Sequence, residues 1–308
     1  MIAAGPDALR VAIVLAFVAL AVRDWRTRRI PRWVWIPILG VGVTALVWDT
    51  VAHRGLGGIT WRLFAIRTAV SVGVVAPLGY VFYRLQAFGR ADAKAIVAIG
   101  VAFPTYPILA VAGIEFPLVA APLGVFSLTV LTNGVLLGLA YPLVLLALNL
   151  RNGRLSPWSA FGRPVHWSAL PRGHGRLLED QAGFTRTGLD LDALRMYCQW
   201  RSCSVGELRH DPGRFREPPT DPTAAVGDGR VATDGGDDPW GARAFLAAAD
   251  GAYGTRPEEL RAGLELVATR EDVWVSPGIP FLVPLTAGML VGMIAGDLFT
   301  VLLPLSTP

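Results

Sequence analysis

The chain has 308 residues, 53% hydrophobic and only 17% charged, with a mean hydropathy of +0.46; an ordinary soluble domain carries charge on about a quarter of its residues. The net charge is +4, and Lys94 is the only lysine among 28 basic residues. The arginines gather at the ends of long apolar runs, a distribution that speaks for membrane orientation and against nucleic acid as a partner.

Read in order, the apolar runs predict an all-α, polytopic membrane protein with about six transmembrane helices and a small helical cytoplasmic insert before the last. The first run, Ala8 to Val22, is short for a span, and Arg10 is expected to snorkel at its outer end. Its main positive cluster follows it, the reverse of a secretory signal, so it reads as a retained anchor. A second run covers Trp33 to Trp48, with a polar loop, Asp49 to Arg62, behind it. Further runs are Ile66 to Tyr83, Ala95 to Ala112, Val125 to Leu148 and Ile279 to Leu303.

This divides the chain into a membrane domain (1–150), an insert (151–277) and a last span (278–308). Within the insert, Leu189 to Arg201 has apolar residues at helical spacing. Ser204 and Glu207 form a capping-box pattern. Residues 211–238 read as a flexible linker. Asp238-Pro239 predicts a helix to Ala249, and Thr255-Arg256-Pro257-Glu258 another to Arg270. The insert's core looks thin for an autonomous domain.

Orientation follows from the arginines. With Asp24 inside, the inner flanks hold Arg23, Arg26, Arg28, Arg29, Arg32, Arg84, Arg90, Lys94, Arg151, Arg154, Arg163 and Arg270, against Arg10, Arg54, Arg62 and Arg67 outside. The N-terminus is then outside, and Asp24, Asp92 and the insert are all cytoplasmic.

Asp24 and Asp92 are the candidate catalytic residues. Each follows a span that ends inside, in Arg23-Asp24-Trp25-Arg26-Thr27-Arg28-Arg29-Ile30-Pro31 and in Gly89-Arg90-Ala91-Asp92-Ala93-Lys94. Singly, either would read as a helix cap or an arginine partner. Together on one face they fit an acid–base pair, because neighbouring carboxylates cannot both ionise easily: one keeps a proton and the other activates water. That is aspartyl peptide hydrolysis, and no His-Glu-x-x-His, nucleophile elbow or Walker loop competes with it. Gly89 is expected to let the backbone bend beside an extended peptide. Gly89, Ala91 and Lys94 are candidates for loop geometry and substrate contact. No metal site and no cofactor are expected; Cys198 and Cys203 read as free thiols.

At these two motifs the chain resembles the archaeal type IV prepilin and preflagellin peptidases. The Asp24 stretch is similar to the family's first aspartate motif. Gly89-Arg90-Ala91-Asp92 is similar to its Gly-x-Gly-Asp signature, with Ala91 as the hydrophobic residue of the archaeal version and Arg90 at the variable position. Leu189-Asp190-Leu191-Asp192-Ala193-Leu194-Arg195-Met196-Tyr197 and Trp274-Val275-Ser276-Pro277-Gly278-Ile279-Pro280-Phe281 also resemble haloarchaeal members. The resemblance implies a multi-pass cell-membrane enzyme that removes the basic leader of archaellin and pilin precursors with class III-type signal peptides, at the cytoplasmic face. It implies peptidase activity alone, because the bacterial branch's cysteine pairs are missing between the first two runs. The oligomeric state is left open. A transporter with the aspartates on an ion path would place them nearer mid-membrane. A non-catalytic scaffold working through its insert is the third reading.

Other polar residues have plainer expectations. Asp297 is expected at the outer surface, solvated. Thr132 and Asn133 are expected to bond between helices. His53, His166, His174 and His210 lack ligand spacing.

Overall fold

The computed structural model of the chain describes residues 5–85, 88–119, 121–154, 156, 158–185, 187–218, 238–249, 252–278 and 280–302. By internal contacts it divides into one unit of Met1–Tyr141 with Ile279–Pro308, and a second of Pro142–Gly278.

The first unit begins with α1 (Pro6–Thr27), 22 residues long with proline in its first turn. Arg28 ends it in the left-handed conformation (φ 53°), its N–H still bonded to the Asp24 carbonyl at 2.9 Å. Pro31, in extended conformation, leads through a tight turn into α2 (Trp35–Leu56). The predicted polar loop after residue 48 is largely helix. The chain turns only at Gly57 and Gly58, both at positive φ (61° and 56°), which glycine adopts without cost. α3 (Gly58–Val70) runs through a π-helical turn at Ser71–Val75 into α4 (Ala76–Arg84). Pro77 follows that turn and lacks the N–H a regular ladder would need, a common origin of such irregularity.

α5 (Arg90–Ala102) is shorter than the predicted Ala95–Ala112 run. The helix stops at Phe103, before Pro104 and Pro107, and the remaining apolar residues form a hairpin of β1 (Leu109–Val111) and β2 (Ile114–Phe116). α6 (Phe126–Arg151) then passes through Pro142.

Close helix contact in this unit depends on small residues. A Cβ on Gly100 of α5 would lie 2.8 Å from the Ala76 nitrogen and 2.9 Å from the Ser71 carbonyl. Beside it, Ser71 Oγ donates to the Gly100 carbonyl at 2.6 Å and pairs with Ser127 Oγ of α6 at 2.6 Å. The unit's core gathers Phe17 and Leu20 of α1, Trp35 and Ile38 of α2, Ile96 and Ile99 of α5, and Phe126 of α6.

The second unit contains strands as well as helices, which corrects the expectation of a purely helical insert. β3 (Arg163–His166), β4 (Arg176–Leu177), β5 (Glu179–Asp180) and β6 (Gly183–Phe184) precede α7 (Leu191–Trp200), α8 (Val205–His210), α9 (Pro212–Arg216), α10 (Ala242–Ala248), α11 (Pro257–Thr269) and β7 (Asp272–Ser276). β7 lies centrally between β3 and β4 in an antiparallel sheet, with Val275 opposite both Arg163 and Leu177. A shared core of Leu177, Leu189, Tyr197, Leu208, Phe245, Leu264 and Val273 shows that the insert is better packed than its sequence suggested.

The capping box is present: Ser204 N–H donates to Glu207 Oε2 at 2.7 Å, and Glu207 N–H to Ser204 Oγ at 3.2 Å. The helix predicted from Pro239 starts later, at Ala242, after a tight turn; the Asp238 carboxylate caps it by accepting from Arg243 N–H at 3.1 Å. Of the predicted linker, 219–237 lie outside the described residues.

The chain returns to the first unit with α12 (Leu282–Ile294) and α13 (Leu298–Leu302). The single last span predicted from Ile279 is thus broken at Gly296 (φ 96°), where a Cβ would meet the Val119 carbonyl. Among the described residues, three helices are long and apolar enough to cross a membrane, Arg32–Leu56, Gly58–Arg84 and Phe126–Arg151; Leu282–Ile294 is apolar but shorter.

Candidate active site

α1 and α5 carry the two aspartates, and a buried ionic cluster sets how these helices run. Near the start of α1, Arg10 donates to the Ala102 carbonyl at the end of α5 (2.9 Å) and pairs with Asp7 (2.8 Å) and with Asp49 of α2. Asp7 also accepts from Ile108 N–H at 3.1 Å. Arg10 is only 1% exposed, so it does not snorkel as predicted. Three partners satisfy its charge internally, the usual condition for a buried ion. Asp24 lies 14 residues further along, about 21 Å up the helix at 1.5 Å per residue.

α1 and α5 therefore run antiparallel, with Arg10 and Ala102 at one end and Asp24 and Asp92 at the other. α2 packs on both. At the second end, Asp24 is 9% exposed, and its charge reaches Asp92. The structure thus brings together the two aspartates that the sequence singled out.

Asp92 is the third residue of α5 and reaches back to accept from Gly89 N–H at 3.3 Å, the backward half of a capping box. Phe88, just before it, stacks on Phe281 (centroids 4.4 Å apart) and sits edge-on to Phe82 (5.0 Å), which ties this loop to α4 and to the start of α12. On the other side, Arg28 is the basic residue whose charge acts on Asp24. Around it, Thr27 Oγ1 donates to the Arg23 carbonyl (3.0 Å), and Arg23 Nε to the Arg29 carbonyl (3.2 Å). The sequence reading missed Phe88, Phe281 and the distal cluster. Phe281 follows the insert, far from Asp92 in the chain, and only the fold shows that it packs on Phe88, in the loop that leads into the Asp92 helix.

Gly89 does not use the backbone freedom expected of it. Its φ of −68° and ψ of 164° are open to any residue. What an added Cβ would meet is Asp92 Oδ2, at 3.3 Å. Ala91 packs against the unit's core, and Lys94 is half-buried one turn of helix along. Arg90 is exposed and donates to the Tyr83 hydroxyl at 3.2 Å.

Other polar expectations divide. Asn133 does bond between helices, donating to the Gly296 carbonyl at 2.9 Å and accepting from Leu298 N–H at 2.9 Å. Thr132 bonds only within its own helix. Asp297 is 7% exposed rather than solvated: it accepts from Thr129 Oγ1 (3.2 Å) and from Thr300 N–H (2.9 Å), capping α13. Among the described residues, no group of three His, Cys, Asp or Glu side chains comes together as a metal ion would require.

An apolar groove of about 340 Å³ lies between α1 and α2, lined by Ala12, Ala16, Ala19 and Leu20 on one side and by Trp33, Pro37 and Val41 on the other. Leu20 is one helical turn before Asp24.

These features define a helical membrane protein with a paired-carboxylate site at one end of its helices. Residues 11–145, which hold both aspartates, match the type IV leader peptidase family, and residues 237–298 match the archaeal peptidase C-terminal region of type II. No curated protein matches the chain. The chain belongs to the type IV leader peptidases and, by its C-terminal region, to their archaeal branch.

Proposed function

We propose that the protein is a membrane aspartic endopeptidase that removes the basic leader from pilin and archaellin precursors at the cytoplasmic membrane face. The observation that carries this reading is the convergence of Asp24 and Asp92 at one end of antiparallel helices. Two carboxylates in electrostatic reach of one another share a proton more readily than they ionise together. The ionised one draws a proton from water as it attacks the scissile carbonyl. The protonated one donates to that carbonyl oxygen; the first carboxyl then passes the proton it took from water to the leaving amine, while the second takes a proton back from the collapsing gem-diol. Arg28 beside Asp24 breaks the symmetry between the two, since a neighbouring cation favours the charged form.

The substrate's position follows from its chemistry. A precursor of this class carries a hydrophobic helix after the cut site, and that helix would lie in the bilayer along the groove between α1 and α2. One turn beyond the groove, its cut site would reach the depth of Asp24. A basic leader ahead of it would emerge at the headgroup surface.

Co-expression with a tagged pilin or archaellin precursor tests the proposal. A peptidase shortens the precursor by its leader; a transporter or a scaffold leaves it at full length, and full-length precursor alone would overturn the proposal.

A further inference from the structure

The insert carries two free thiols, Cys198 and Cys203. α7 ends in a Schellman motif. Arg201 is the cap, Ser202 turns the chain with φ 50°, Cys203 N–H bonds to the Cys198 carbonyl at 2.9 Å, and Ser202 N–H bonds to the Gln199 carbonyl at 3.1 Å. This turn folds the residue two past the cap onto the residue three before it, where helices usually place an apolar contact. Here both positions are cysteine, so the motif accounts for their five-residue spacing. The turn thereby sets the two thiols near enough for each to act on the other's ionisation.

Their surroundings differ. Cys198 is buried in the insert core beside Tyr197, whereas Cys203 is half-exposed just before the Ser204 cap of α8. The neighbouring Cys198 thiol, with help from Arg201 and Arg214, holds the Cys203 thiol below its ordinary pKa against burial and the Glu207 charge. The Cys203 thiol, then burial, pushes the Cys198 thiol up. Thiolate character and exposure fall on one member of the pair, as they do in attacking and resolving cysteines.

We propose that Cys203 and Cys198 form a reversible disulfide by exchange with a low-molecular-weight disulfide, Cys203 attacking and Cys198 resolving. The Cys203 thiolate attacks one sulfur of the small disulfide; its S–S bond breaks, and one small thiolate leaves. Cys198 then gives up its proton and attacks Cys203 Sγ; the mixed disulfide breaks, and the second small thiol leaves carrying that proton. The protein pair is oxidised and the small disulfide reduced, with two electrons exchanged.

The test uses the full-length protein in detergent with glutathione disulfide, followed by alkylation and peptide mass analysis. The wild type should lose both free thiols, carry no glutathione, and regain both thiols with dithiothreitol. Cys198→Val, which keeps an apolar side chain in the core, should retain glutathione on Cys203, and Cys203→Ser should leave Cys198 unmodified. Two alkylatable thiols in the treated wild type would overturn the proposal and leave the pair as packing. A stable glutathione adduct at Cys203 of the wild type, or an adduct on Cys198 in Cys203→Ser, would also overturn it. The wild-type result stands even if a variant fails to fold.

Discussion

Gly89 shows how a single residue was legible in type but not in cause. The sequence marked a glycine three residues before Asp92 and read it as backbone freedom, yet its backbone is ordinary and its missing Cβ spares the Asp92 carboxylate. Gly89→Val should therefore press on the Asp92 carboxylate and lower precursor cleavage by on the order of tenfold, less than the roughly 100-fold cost of a full 1 Å misplacement. Arg90→Gly, which loses only an exposed bond to Tyr83, should cleave within a few-fold of wild type. The ratio of precursor to mature protein in membranes holding equal amounts of each variant reads both. Asp24 and Asp92 stood out in the sequence because carboxylates are few among the arginines at the ends of the apolar runs. Arg10 was misread because a lone arginine in an apolar run gives no sign of Asp49, 39 residues away, as its partner.

At the scale of elements, periodicity revealed the long helices and missed their interruptions. The π-turn ahead of Pro77, the helix end at Phe103 and the break at Gly296 all fall inside runs that are mostly apolar, and hydropathy alone does not separate helix from bend there. β7 carried a readable alternation, with Val273 and Val275 buried between Asp272, Trp274 and Ser276. Its partners β3 and β4 are too short to announce themselves. Two predictions belong here. Gly100→Ala forces a Cβ into the backbone of the α4 side, and thermal unfolding in detergent should show a loss of about 1–3 kcal/mol. Ala19→Trp fills the groove between α1 and α2. If a substrate helix lies there, KM for precursor should rise by on the order of tenfold, ~1.4 kcal/mol of binding, with kcat largely kept; unchanged KM would remove the groove from the account.

For the whole molecule, a change of composition after residue 150 was visible in the sequence. The insert's fold was not, since its core draws on Leu177, Tyr197, Phe245 and Leu264, residues far apart in the chain. The predicted orientation remains a matter of flanking arginines, and labelling with a membrane-impermeant thiol reagent can check it. Ala93 is buried and would label poorly, whereas Thr27, Arg90 and Gly55 are exposed. Cysteines at Thr27 and Arg90 should react from the cytoplasmic side and one at Gly55 from outside. Reaction of Thr27 and Arg90 from opposite sides would rule out a shared site. The claim on which everything else rests is that Asp24 and Asp92 act as one unit, and single-turnover cleavage by wild type, Asp24→Asn, Asp92→Asn and the double variant tests it most directly. Each single change should cost on the order of 10²–10⁴ in rate, with the double variant no slower than either, because removing one member already disables the pair. Near-normal cleavage by either single variant, or losses that multiply in the double, would contradict it.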